Sequence, residues 1–465
     1  MITHGDEAYG SVLVWLLKLC WLLALYRSRI SPDALLGCLQ LGELFMAQGH
    51  RPLVIVHVQT RMKRSGGAEE NTWAACKHQA DSGNIVHLLA GSHSDLAAYR
   101  KQGTNVQLHL VPSLIHAISM KRDYAAYREL RQLFMDLRAD VVHTHTSKAG
   151  ILGRLAARRA GVPIIMHGVH ILPFSHTGLA QKLTFLAVEH VTAPITDHFL
   201  HVGEGTRHAY KLARLGSRAM HSVVRSGMEI DGFRAASWPD DWRQILGVGE
   251  ADEKPITILM MAALEARKRH ADFLRGFAEV TRKGEKIRLL LAGEGAEAER
   301  LSSMVESMDL RDRVKLVGYR PDPHKLVALS DIGVLASLRE GLPRVVIQYL
   351  AGGKPVVVSA LRGIDEIVED GINGFIVPRD DAAHVAKAAV QLVRDRALLK
   401  SLSEGAEHSA VDQWTFRSMF EQLDQVYAKT LETPLVRARI ARGHSGATTC
   451  RYAANLPPLD QPMAL

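Results

Sequence analysis

From Pro52 onward, short β-branched runs alternate with amphipathic stretches, and this alternation occurs in two separate series. Near-continuous apolar runs joined by helix-period segments are the pattern of parallel sheets buried on both faces. The first series predicts strands at Leu53–Gln59, Ile85–Leu89, Val106–Leu110, Val141–His145, Ile164–His167, Phe199–Val202 and Ser222–Arg225. The second predicts them at Ile256–Met261, Ile287–Ala292, Val314–Val317, Ile332–Ala336, Pro355–Ser359 and Gly374–Val377. Between the series, Ser226–Gly249 loses the strand pattern and gathers Gly, Trp, Pro and Asp, as a domain linker does. Two α/β domains follow, each doubly wound and Rossmann-like, facing a central cleft where the strand carboxyl ends meet.

The expected division is an apolar appendage over 1–50, a first domain over 51–226 and a second over 227–414. A helix over 415–433 returns to the first domain, and a disordered tail fills 434–465. Within the appendage, Ser11–Tyr26 is strongly apolar but is shorter than the ~20 residues of a spanning helix and carries Lys18. It reads either as an interfacial helix or as sequence ahead of a start at Met46. The expectation is a cytoplasmic protein with peripheral contact at the inner face of the cell membrane.

With 57 Lys and Arg against 49 Asp and Glu, the net charge of +8 favours anionic partners. No long basic block or basic-aromatic stripe is present, which argues against nucleic acid. The four cysteines form no C-x-x-C pair and the 23 histidines no H-E-x-x-H, so neither a disulfide framework nor a metal is expected.

Several strand ends carry candidate chemistry. Ser337-Leu-Arg-Glu-Gly-Leu-Pro-Arg-Val-Val-Ile-Gln348 follows an apolar strand and opens a helix, leaving the amides of Gly341 and Leu342 to face an anion. If helical throughout, it separates Glu340 from Gln348 by ~12 Å along the axis, enough for one to hold a sugar and the other a ribose. Met260-Met-Ala-Ala-Leu-Glu-Ala-Arg-Lys268 places the cations Arg267 and Lys268 after another strand. Gly293-Glu-Gly295 imitates a dinucleotide turn, but no acidic residue ends the next strand, which argues against NAD. Arg320, in the following loop, is placed for a base or ribose edge. In the first series, Gly66 and Gly67 open a helix whose amides face a phosphate or acceptor, and Glu69 and Glu70 serve either substrate or helix dipole. His143 and His145 share one face, and His167-Gly-Val-His170 ends the next strand.

Residues 332–378, ending GKPVVVSALRGIDEIVEDGINGFIVP, resemble the donor-binding signature of family 4 glycosyltransferases, retaining enzymes of the GT-B fold. That signature reads E-x7-E; here Glu340 matches the first position and Gln348 replaces the second. The family's G-R-L-x-x-x-K pattern is met at Lys268, while Ala263 stands where an arginine is common and leaves Arg267 or Arg269 to substitute. His170 matches the family's V-H-G step. The resemblance, over about residues 52–430, implies transfer of a sugar from a nucleotide diphosphate, UDP above all, to a saccharide or lipid-linked saccharide. It implies no further cofactor and points to capsule, exopolysaccharide or lipopolysaccharide assembly. Glu340 would anchor the donor sugar, Lys268 the diphosphate, Gln348 the ribose and His170 the reacting region. Two other readings stay open: another GT-B enzyme, such as a sugar-nucleotide epimerase or a phosphorylase, and a non-catalytic nucleotide-sugar binder.

Overall fold

The computed structural model describes residues 52–63, 66–172, 178–378 and 380–444. The apolar segment Ser11–Tyr26 and Met46 lie outside them. Among the described residues no helix is long and apolar enough to cross a membrane.

The first domain is a seven-stranded sheet of β1 Val54–Gln59, β2 Ile85–Gly91, β3 Gln107–Val111, β4 Val141–His145, β5 Ile164–Val169, β6 His198–His201 and β7 Met220–Val223. Its order is β3-β2-β1-β4-β5-β6-β7, with every pairing parallel. The second is a six-stranded sheet of β8 Ile256–Met261, β9 Ile287–Ala292, β10 Val314–Gly318, β11 Ile332–Leu335, β12 Val356–Ser359 and β13 Gly374–Val377, ordered β10-β9-β8-β11-β12-β13 and again parallel. Each sheet reverses its winding once, between β1 and β4 and between β8 and β11. These reversals open the crevices in which such sheets hold ligands.

The apolar runs became strands because both faces are covered: β4 and β12 are buried along their whole length. Boundaries moved where pairing outweighed composition. β7 starts two residues before its apolar run because Met220 pairs with His198 of β6. β5 runs on to Val169 because Gly168 continues the ladder opposite His145.

Two expectations are corrected. The segment after Ser226 is not a bare linker: it forms short helices at Asp231–Arg234 and Trp242–Leu246, and Met228, Ile230, Phe233 and Leu246 enter the second domain's core. The chain also does not lose structure at Pro434. A helix spans Pro434–His444, with Val436 1% exposed in the first domain's core and Arg439 paired to Asp197. Its few apolar residues find a groove that composition cannot reveal. Residues 445–465 lie outside the described region.

The helix Phe416–Leu431 packs Leu423, Val426 and Tyr427 onto that same first-domain core. The chain therefore crosses between domains twice, side by side, where Met228 bridges Thr415 and donates its amide to Trp414 at 2.9 Å.

Candidate active site

Between the sheets lies a cavity of about 1780 Å³ lined by both domains. Gln59, Thr60 and Thr146 reach it from the β1/β4 crevice, and Met261 and Leu335 from the β8/β11 crevice. The two topological reversals thus face one space, as the strand order requires.

The second-domain wall is built by two loops stitched together. After β8 the chain turns through a 3-10 segment, Ala266–Lys268, and the Leu338 amide donates to the Arg267 carbonyl at 2.9 Å. That bond brings Glu340 beneath the two cations. Lys268 Nζ donates to Glu340 Oε1 at 2.5 Å, and Arg267 Nη1 lies 3.4 Å from both carboxylate oxygens. The Lys268 and Glu340 side chains are only 11% and 12% exposed, so the pair is little screened by solvent. Arg267, not Arg269, takes the place beside Ala263: Arg267 and Ala263 line the cavity, whereas Arg269 pairs with Asp272 at 3.0 Å.

Beyond Glu340 the helix begins only at Arg344, with Pro343 as its N-cap. Among the described residues, the Gly341 and Leu342 amides donate to no partner. They face the cavity beside Lys268, a ready anion-binding arrangement. Because residues 340–343 are not helical, the ~12 Å helical spacing between Glu340 and Gln348 does not apply. Gln348 lies a turn into the helix, half-buried, and is not among the residues that line the cavity. The ribose role expected of it is not built into this arrangement.

Gly293 and Gly295 have φ of +146° and +158°. A Cβ at either would lie 2.1 Å from the Ala262 carbonyl oxygen or 2.3 Å from that of Leu264. Glycine is needed there for the β8 loop to close on the turn, whatever the ligand; Gly295 and Glu294 line the cavity and Gly293 sits behind. Arg320 departs from expectation: it binds Asp241 at 2.9 Å and Asp322 at 2.8 Å and stands away from the cavity.

The first-domain wall includes Gly66, Gly67 and His170. Gly66 caps the helix Gly67–Asp81, and the Glu69 carboxyl folds back over it. Burial raises the pKa of that carboxyl. Glu70 is an interdomain link, 2.7 Å from Arg344 Nη2. Arg344 and the cluster of Arg61, Lys63, His116 and Lys148 on the cavity's acceptor side were given no role by sequence reasoning, because their neighbourhood is assembled from separate segments of the chain.

Closure brings His170 to the second domain. A Cβ on Gly341 would sit 1.6 Å from the His170 carbonyl oxygen, so only glycine permits this approach. His170 is half-buried, and desolvation lowers its pKa to about 4, which leaves the imidazole neutral. The other histidines expected near the crevice do not reach it. His167 turns to Thr144 at 2.9 Å, while His143 and His145 join His57 inside the domain. Their three nearest ring nitrogens lie within 4.8 Å of one another, a grouping assembled from two strands that no sequence spacing announces.

Comparison with known proteins agrees with this geometry. The profile of the family "Glycosyl transferases group 1" matches residues 243–409, and that of "Glycosyl transferase 4-like domain" matches residues 66–226. An Escherichia coli UDP-Gal:alpha-D-GlcNAc-diphosphoundecaprenol alpha-1,3-galactosyltransferase is 25% identical over 388 residues, 82% of this chain and 98% of that one. The Staphylococcus aureus capsular polysaccharide biosynthesis glycosyltransferase CapM is 21% identical over 359 residues, 74% of this chain and 89% of its own. Among solved structures, Anabaena HepE in complex with UDP and glucose superposes with a TM-score of 0.66 at 20% identity, covering 81% of this chain and 100% of HepE. One profile matches each domain, and together they span both walls of the cavity that holds Lys268, Glu340 and His170. The chain belongs to the family 4 glycosyltransferases of the GT-B fold and is an enzyme of the hexosyltransferase type.

Proposed function

We propose that the enzyme moves a hexosyl group from a UDP-sugar to a lipid-linked saccharide, with retention of anomeric configuration, during assembly of a cell-surface polysaccharide. The observation that carries this reading is the convergence of Lys268 and Arg267 on Glu340 beside the Gly341 and Leu342 amides, which have no partner among the described residues. A diphosphate and the Glu340 carboxylate compete for the same two cations. When the nucleotide binds, Lys268 and Arg267 turn to the pyrophosphate, and the Glu340 oxygens accept hydrogen bonds from sugar hydroxyls. UDP is favoured because HepE is described with UDP and the E. coli relative is named for UDP-Gal.

In the transfer, the bond between C1 and the β-phosphate oxygen breaks. The acceptor oxygen bonds C1 on the same face, and its proton passes to the departing phosphate. Lys268, Arg267 and the two amides stabilise the charge that develops on UDP, which is the largest electrostatic demand of the step. Those residues supply it without a divalent ion, so transfer should persist in a chelator. His170, neutral and facing the closed interface, stands at the reacting region.

A lipid-linked acceptor is supported by the first-domain rim. Ile118 and Leu183, 66% and 58% exposed, line the cavity mouth with Leu179 nearby at 72%. Arg61, Lys63 and Lys148 beside them suit an acceptor phosphate. The same rim offers peripheral contact with the inner face of the membrane. Purified enzyme should gain thermal stability from UDP, lose that gain in Lys268→Ala, and yield an α-linked product from an α-linked donor. A β-linked product, or indifference to UDP, would sink the proposal.

A further inference from the structure

Behind His170 the first domain carries a row of side chains that the transfer step does not use. Gln79 on the helix Gly67–Asp81, His57 on β1, His145 on β4 and His170 after β5 follow one another at hydrogen-bond distance. Gln79 Oε1 lies 2.7 Å from His57 Nε2, His57 Nδ1 lies 2.9 Å from His145 Nε2, and His145 Nδ1 lies 3.0 Å from His170 Nε2. His57 and His145 are 0% and 3% exposed, so solvent supplies no alternative partner.

Burial keeps all three rings neutral at ordinary pH. A neutral imidazole donates through one nitrogen and accepts at the other, so the orientation of one member fixes the rest. The carbonyl oxygen of Gln79 can only accept. His57 must then donate from Nε2 and accept at Nδ1, His145 must do the same, and His170 must donate from Nε2.

We infer that Gln79, His57 and His145 are positioning residues that lock His170 in its Nε2–H tautomer, presenting a bare Nδ1 lone pair to the cleft as acceptor for a substrate hydroxyl. The assignment of that hydroxyl to a sugar rests on the function proposed above; the tautomer does not. Gly168 makes the last link possible. A Cβ there would lie 2.9 Å from His145 Nδ1 and 3.2 Å from His170 Nε2, against the very atoms that bond.

A metal ion at His57, His143 and His145 is the competing reading, and His143 Nε2, buried without a partner, favours it. The 2.9 Å approach of His57 Nδ1 to His145 Nε2 opposes it, since one of the two must carry a proton to make that contact. A cation would need lone pairs from both. It would also move the His145 proton to Nδ1 and reverse the tautomer of His170.

Long-range proton–nitrogen correlation spectra of the full chain, labelled at histidine, read which ring nitrogen bears the proton. The expected result is Nε2–H at His57, His145 and His170. Gln79→Leu removes the acceptor and should reverse all three, lowering kcat/KM about tenfold to hundredfold as His170 changes from acceptor to donor. Gln79→Glu keeps an acceptor and should preserve the tautomers and most of the activity. Gly168→Ala should release His170 alone. An Nδ1–H tautomer at His170 in the unaltered chain, with or without a stoichiometric metal found by mass spectrometry, would overturn the inference; so would unchanged tautomers in both Gln79→Leu and Gly168→Ala. If a variant fails to fold, the spectrum of the unaltered chain decides. Because that spectrum needs no substrate, a wrong donor or acceptor leaves it intact.

Discussion

The two walls of the cleft are made by opposite means. The second domain offers cations and main-chain amides from two short loops, Ala266–Lys268 and the turn 340–343, each contiguous in sequence. The first domain offers the neutral His170 imidazole, backed by histidines held in strand register with His57 opposite His143 and Gly168 opposite His145, and flanked by Arg61, Lys63 and Lys148 at the rim. One wall handles the charge of a leaving group. The other presents a neutral ring with a fixed hydrogen-bonding row behind it, suited to orienting hydroxyls. A transferase needs both, because the donor brings anionic charge and the acceptor brings none at its reacting atom.

The contrast is most exposed to acid. Desolvation lowers His57, His170 and His198 to about 4 and His201 to about 2, all in the first domain, whereas His270 in the second domain is also lowered to about 4. Below the unfolded value of 6.5, an unfolded chain binds protons that these folded rings refuse until about pH 4. Their contribution is therefore fully present above pH 6.5 and declines as pH falls through that window. Each fully buried ring should cost on the order of 2 kcal/mol by pH 5. Fluorescence of Trp73 in the first domain and Trp242 in the second, followed during thermal unfolding at pH 7 and pH 5, should show the first transition dropping much further. Equal shifts would break the comparison.

The next largest effect concerns the charged wall. Lys268→Ala should lower kcat by about 10²–10³, with Lys268→Arg recovering part, measured by steady-state transfer. A similar loss in KM alone would mean that Lys268 only binds the donor. Gly341→Ala sets a Cβ against the His170 carbonyl and should hold the walls apart. Its expected cost is about 10²-fold in kcat with little change in melting temperature, since neither domain core is touched. The smallest effect is at Gln348. Gln348→Glu should leave both kcat and donor KM within about threefold, because Gln348 does not line the cavity. A large rise in donor KM would show instead that Gln348 reaches the nucleotide.

Legibility followed the same division. Four strands, Val141–His145, Ile256–Met261, Ile287–Ala292 and Gly374–Val377, lie where their residues predict, and for the interior strands Ile256–Met261 and Ile287–Ala292 the reason is that burial on both faces demands a largely apolar run. Glu340, Lys268, Gly341 and Leu342 were legible as one motif each, since the backbone that positions them is local. Arg320 was not: its loop suggested a ligand, but two carboxylates in space claimed its guanidinium. The helix Pro434–His444 was missed for a related reason, since its burial depends on a groove supplied by residues far earlier in the chain.

The sequence by itself determined the two parallel sheets, the break between them and the diphosphate-facing loops, because apolar patterning and turn chemistry act over a few residues. Only the tertiary structure decided which arginine stands beside Lys268, that Gln348 sits apart from the cavity, and that Gln79, His57, His145 and His170 form one hydrogen-bonded row. Those facts depend on strand register and domain closure, where chain segments 22 to 88 residues apart meet at hydrogen-bond distance, and no local pattern encodes such a meeting.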